Sequence, residues 1–489
     1  MAGKMQLMQS RPAAERQAAC NGRVFRILAP ALALLLAGGC MSGGGFREDI
    51  STSRAHSYRR WLSECRSETG SHIILTGELS LEECIGIAMS NNKQLAAIRL
   101  EREKAAGKID ESYSIAFPKV DVNAGYTRFD QAPLPDGHTG NYSAGARLSQ
   151  PLYRGGAVRA GIRAAQMYAD FSDESVREVV QAVVFDVSKA WLDVLLAHEL
   201  LQVSEQAVEL SGRHVKDVTD RREQGMASDY DVLRARVEVS NYEAEMIQNR
   251  NRLSLLKTSF FKLLGVSQES TLDFDGGLEY EQVTAELEDV VEEAFAHRPE
   301  LIRAELEWRL LRENLAATRA GKLPEIDLFF EEMFSNPHPH DATSERWGDS
   351  WMAGLTLRWP LFDGFRTRGL LRQARAELER GRIRLADQEE KVLLEAKQAL
   401  LNIHDAESFV ESQRANVGRA EEGLKLVELG YREGVNTELE VRDARQALLR
   451  ARALWYQAAH SHRLAVLGLR KATGALAPRY QQQQQDDTN

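Results

Sequence analysis

Two hydrophobic periods alternate along this chain, and each pattern occurs twice. From Leu79 the apolar positions Leu81, Ile85, Ala88, Leu95 and Ile98 recur at helical spacing to about Ala116, and Pro118 stops them. The period then switches to two. Val120, Val122, Ala124 and Tyr126 alternate with Asp121, Asn123, Gly125 and Thr127. Beyond a polar loop at 133–137, Tyr142, Ala144, Ala146 and Leu148 alternate with Ser143, Gly145, Arg147 and Ser149. This predicts a β-hairpin over 120–152 with one apolar and one polar face. No proline interrupts 157–223, where Val176, Val180, Val183, Val187, Trp191 and Val194 are spaced by three and four. Such a helix would reach about 100 Å, a coiled-coil length. A return helix carrying Leu233, Val237, Ser240, Ala244 and Ile247 follows Gly225 and ends near Gly265. The second half reads the same way. It has a helix over 286–321 and a hairpin over 326–361. In that hairpin Trp351, Ala353, Leu355, Leu357 and Trp359 alternate with Met352, Gly354, Thr356 and Arg358. A long helix from about Phe365 to Glu433 and a return helix over 437–473 complete it. The two shorter helices, 79–116 and 286–321, have the length needed to complete the antiparallel pairing.

The likeness of the halves extends to single residues. Glu223-Gln224-Gly225 and Arg432-Glu433-Gly434 each lead into a return helix, and the glycines stand 209 apart (434 − 225). The same offset pairs Gly145 with Gly354, Pro151 with Pro360, Gly155 with Gly364, Lys262 with Lys471 and Gly265 with Gly474. Upstream, Pro118 pairs with Pro324 at an offset of 206 (324 − 118). One register held over so many positions implies an internal duplication. The three-residue difference predicts a longer loop in the second hairpin, where insertions cost little. The organisation is then a signal peptide over 1–39, a tether over 40–78, repeats over 79–285 and 286–474, and a polar disordered tail over 475–489.

The N-terminus sets the compartment. Arg23 and Arg26 precede the apolar run 27–37, and Gly38-Gly39-Cys40 follows, the pattern of a secretory signal ending at a lipidated cysteine. Alanine at 37 stands where such signals usually carry leucine, and Met5 and Met8 are alternative starts. Cys65 and Cys84 would then lie in an oxidising compartment, as a bridge or as two free thiols. A net charge of −10 argues against nucleic acid. The mature sequence has no apolar run long enough for a transmembrane helix. Gly-x-Ser-x-Gly, P-loop and His-Glu-x-x-His motifs are absent, so neither an enzyme nor a cofactor is predicted. His338 and His340 fall in the polar loop, and His460 and His462 on a helix, where positions two apart point apart, so neither pair argues for metal.

Four strands with one apolar face cannot close a barrel, and a bilayer tolerates no open edge. Three chains would supply twelve strands, a workable barrel size, with Tyr126, Tyr142, Trp351 and Trp359 as interface aromatics. A periplasmic adaptor or a structural coiled-coil lipoprotein is the alternative, but neither needs two amphipathic hairpins. Over about 79–474 the chain resembles TolC-family outer-membrane efflux and secretion channels. The resemblance rests on the Leu81-Glu82-Glu83 entry, the Pro118 and Pro324 exits, and the two glycine tips. It rests also on Pro151-Leu152-Tyr153-Arg154-Gly155 with Pro360-Leu361-Phe362-Asp363-Gly364.

The resemblance implies a mainly α protein with a transmembrane β-barrel portion, closed as a homotrimer. A long coiled-coil α-barrel would extend from the outer membrane of a Gram-negative bacterium into the periplasm. A periplasmic adaptor and an inner-membrane pump would dock at its far end, near the tips Gly225 and Gly434. Lipidated members resemble the Cys40 region. Glu440 and Asp443 fall where the family has two acids in its periplasmic constriction. Tyr431 and Asp231 fall where a tyrosine and an aspartate lock neighbouring coiled coils. Asn436 stands where well-known members have arginine.

Overall fold

In the computed structural model of the chain, residues 73–131, 139–274, 276–340, 344 and 346–476 are described, together with Arg54 and Ser57. The predicted signal, Cys40, Cys65 and the tail beyond 476 lie outside them. The chain divides into units 1–73 and 74–489. In the first, the Ser57 hydroxyl donates to the Arg54 carbonyl over 2.7 Å.

The second unit begins with a short strand, β1 (Thr76–Leu79), inside the segment read as tether. Two helices follow, α1 (Leu81–Asn91) and α2 (Lys93–Ser114), where the periodicity predicts one. The break is chemical. Asn92 turns extended, and its Oδ1 accepts from the backbone N–H groups of Gln94 and Leu95. Its Nδ2 donates to the Leu263 carbonyl over 3.2 Å, so the N-cap also ties the bend to a distant helix. The second half breaks at the matching place, between α5 (Leu287–His297) and α6 (Pro299–Ala320). Here Pro299 forces Arg298 out of the helical region and starts α6 at its preferred first position.

The long elements match the predicted spans closely. They are α3 (Ala157–Glu223) with its return α4 (Asp229–Leu264), and α7 (Arg366–Arg432) with its return α8 (Glu438–Ala472). Each long helix has 67 residues. α3 packs against α2 and α6 over one part of its length and α4 and α8 over the other; α7 packs against α6 and α8. This sharing explains how short helices match a long one. The largest buried cluster lies where α1, the start of α2, α3 and α4 meet, around Cys84, Leu95, Val176, Val187 and Phe260. Trp191 and Phe274 bring their rings to 4.8 Å. Phe274 belongs to β4 (Thr271–Phe274), which pairs in parallel with β1 and buries Leu272. The sequence reading missed this two-stranded sheet because four residues are too few to show a period. Cys84 is fully buried and free, and burial pushes its thiol up to about 11.

The two hairpins merge into one antiparallel sheet, ordered β2 (Lys119–Arg128), β3 (Gly140–Arg154), β5 (Glu325–Asn336), β6 (Gly348–Arg358). The register sets Val120, Leu148, Phe330 and Ala353 in one row across it. The next row reads Val122, Ala146, Glu332, Trp351, so one acid interrupts the apolar face. Val122 is 80% exposed and Trp351 70%. On the other face Arg147 meets Glu331 at 3.6 Å, and Arg154 bridges Glu325 and Asp327 at 2.9 and 2.7 Å. The extra length of the second hairpin, expected in its loop, lies at least partly in the strand: β5 has 12 residues and β2 has 10. Among the described residues, β2 and β6 each have a partner on one side only. No described helix is long and apolar enough to cross a membrane.

Candidate functional site

The two hairpin tips are built alike. Gly225 (φ 75°) and Gly434 (φ 79°) are left-handed, and a Cβ on either would meet nothing within 4 Å. The chain needs them to turn, not to fit. Beyond Gly225 the Met226 N–H donates back to the Arg221 carbonyl over 2.8 Å; beyond Gly434 the Val435 N–H reaches the Gly430 carbonyl over 2.8 Å. Both close the last helical turn of the arriving helix. The departing helices open on capping boxes. Ser228 caps α4, and its N–H and hydroxyl donate to Asp231 Oδ2 over 2.9 and 2.7 Å. Thr437 caps α8, and its N–H and hydroxyl donate to Glu440 Oε2 over 2.6 and 3.0 Å.

Asp231 and Glu440 are therefore the same position of the two halves, doing the same local work. The resemblance had assigned one to a lock and the other to a constriction. Ser228, first through its hydroxyl and then its N–H, holds the Asp231 carboxyl below the ordinary range. The Thr437 N–H, then Asn436 and the Thr437 hydroxyl, do the same for Glu440. Asn436, in the arginine position, donates Nδ2 to Glu440 over 3.2 Å. It also fills the space beside Gly430, where a Cβ would come within 1.8 Å of its Oδ1. Asp443 is exposed and lies 3.2 Å from Arg442.

Tyr431 is half-buried under the Arg221 guanidinium, 4.9 Å from its ring centre. Among the described residues no hydrogen bond joins Tyr431 to Asp231. A second contact crosses between the hairpins here beside Arg221–Tyr431, and it was not read from the sequence: His214 Nε2 of α3 lies 2.8 Å from Glu438 Oε1 of α8. No periodicity marks it, since both residues sit on ordinary-looking charged faces. Farther along the same seam His460 meets Asp193 at 2.8 Å. His462 turns away, buried against Tyr280 with ring centres 4.7 Å apart, and burial holds it below the usual imidazole range. The two histidines do point apart. The exposed apolar residues Met226 and Val435 stand at the tips themselves.

An amphipathic sheet continued into paired coiled coils with bare tips is the architecture of an outer-membrane duct. The outer membrane efflux protein pattern matches residues 84–266 and again 290–475, and the chain belongs to that family. It is a family of transport channels, not enzymes. Outer membrane protein TolC of Vibrio cholerae is 25% identical over 405 residues, 81% of this chain and 91% of its own. A membrane protein from Pseudomonas aeruginosa superposes with a TM-score of 0.70 at 22% identity, over 82% of this chain and 91% of its own. The outer membrane protein VceC of Vibrio cholerae superposes with a TM-score of 0.70 at 17% identity, over 81% and 96%. The family match sets aside the adaptor and structural-lipoprotein alternatives.

Proposed function

We propose that this outer-membrane efflux channel is the exit duct of a tripartite efflux or type I secretion assembly, built from three copies of the chain. The observation that carries this is the four-stranded sheet. Its apolar residues are exposed on one face, its polar ones pair on the other, and both edges lack a strand partner among the described residues. A lipid surface accepts such a face, and joining β6 of one copy to β2 of the next removes every edge. Twelve strands then close a barrel. The long helices continue it into the periplasm, where the tips at Gly225 and Gly434 meet a periplasmic adaptor serving an inner-membrane pump. Internal duplication accounts for the two halves, and the double family match supports it. Acylation at Cys40 adds a second hold on the outer membrane.

Asp443, exposed one turn into α8, and Glu440 beneath it are the carboxylates of the periplasmic constriction. Threefold symmetry would make each a ring that attracts cations. Tyr431 belongs to the contacts that hold the tips together, through Arg221, and Asp231 supports them by fixing the first turn of its own helix. Purified outer-membrane protein should run as a trimer on mild gel electrophoresis and as a monomer after boiling, and it should conduct in planar bilayers. A monomer under both conditions would refute the assembly.

A further inference from the structure

We propose that His214 is a gate residue, a protonatable latch between the two hairpins, taking as its starting point the reading of the tips as the channel's closing end. Glu438, its partner, is the first residue of α8 and follows directly on the tip cap Thr437. A bond at Glu438 therefore restrains the tip of the second hairpin against the body of the first. The pair is well placed to do so. The His214 side chain is 18% exposed and that of Glu438 39%, so water screens the contact only in part. The groups lining the same cleft are Asp217 and Arg221 on α3, Glu238 and Tyr242 on α4, Tyr431 on α7, and Arg442 and Arg445 on α8. The arginines are engaged elsewhere: Arg221 over Tyr431, Arg442 with Asp443, and Arg445 with Glu428 at 3.0 Å. Glu438 is the carboxylate in hydrogen-bond reach of the imidazole.

Imidazole changes charge between about pH 5 and 8. Protonated, His214 forms a charged pair with Glu438; neutral, it keeps at most one ordinary hydrogen bond. The latch is therefore tighter with the imidazole charged and looser with it neutral. Nothing about the tip glycines or the capping boxes demands this behaviour, because those groups do not titrate between pH 5 and 8.

The test is single-channel recording of the full-length trimer in planar bilayers at pH 5.5 and 8.0. The wild type should open less at pH 5.5. His214→Gln keeps a neutral donor, so at both pH values it should open as the wild type does at 8.0. Glu438→Gln should flatten the pH dependence in the same way. Partly exposed pairs shift such equilibria by up to about fivefold, which sets the expected change. Variants that assemble, conduct and keep the wild-type pH ratio would overturn the latch while leaving the channel standing. A variant that forms no trimer would mark the pair as structural and also overturn it. A wild-type protein that does not conduct would bring down the channel reading itself.

Discussion

Gly265 and Gly434 offer a controlled comparison between two costs of replacing glycine. Both are left-handed, at φ 74° and 79°. An alanine at either position carries the backbone strain of that region, about 1 kcal/mol. Their surroundings differ. A Cβ at Gly434 meets nothing within 4 Å, whereas one at Gly265 would lie 2.6 Å from the Asn91 carbonyl oxygen and 3.0 Å from its carbon. Those atoms are backbone at the end of α1, so no side-chain rotation relieves the overlap. Overpacking of that kind costs about 1–3 kcal/mol. Gly265→Ala should therefore destabilise its surroundings by about 2–4 kcal/mol and Gly434→Ala by about 1. Amide hydrogen exchange on the detergent-solubilised protein reads both locally. Protection around Asn91–Leu95 and Phe261–Val266 should fall roughly 30- to 1000-fold in Gly265→Ala, at tenfold per 1.4 kcal/mol. Around Gly434 it should fall only about fivefold. Equal losses in the two variants would refute the close-approach account and leave backbone strain as the whole effect. Gly474 should behave like Gly265, since its Cβ would come within 2.8 Å of the His297 carbonyl oxygen, the matching position of the second half.

Thr437→Ala should loosen the first turn of α8 by about 1 kcal/mol, and Thr437→Ser should not; exchange at the amides of 438–441 checks both. Because the caps hold Asp231 and Glu440 below the ordinary carboxylate range, their contribution is present at neutral pH and fades as pH falls toward and below about 4, so protection of the tip amides, corrected for the intrinsic exchange rate, should fall there. Asp443→Asn should weaken cation preference and block by multivalent cations without changing tip exchange, whereas Glu440→Gln should alter both; unchanged block in Asp443→Asn would place that acid on a solvated outer face. Phe260→Ala removes a fully buried ring from the cluster around α3 and α4 and should cost about 3–5 kcal/mol, seen as a lower thermal unfolding temperature. Cys40→Ser should abolish acylation yet leave membrane insertion, and mass spectrometry of the mature N-terminus decides it.

Periodicity along the chain determined a great deal here, because the elements are long. A 67-residue helix offers many turns over which a three-four spacing declares itself, and strands of ten or more residues do the same for a period of two. The tip glycines were legible for a related reason, since only a left-handed residue turns one helix back beside the next. Short-range chemistry hid from that reading. Asn92 looks like any polar helix residue until its amide reaches Leu263, and β1 and β4 are too brief to show a pattern. At the tips the sequence supplied the residues and their family positions, but not their partners. Asp231 and Glu440 turned inward to cap their own helices, and Tyr431 turned to Arg221. His214 found Glu438 on another helix because α3 and α8 lie side by side, a neighbourhood set by how the two hairpins pack. A hydrophobic period is a property of one segment and can be read from it. A contact between segments belongs to neither sequence alone, and only their packing decides it.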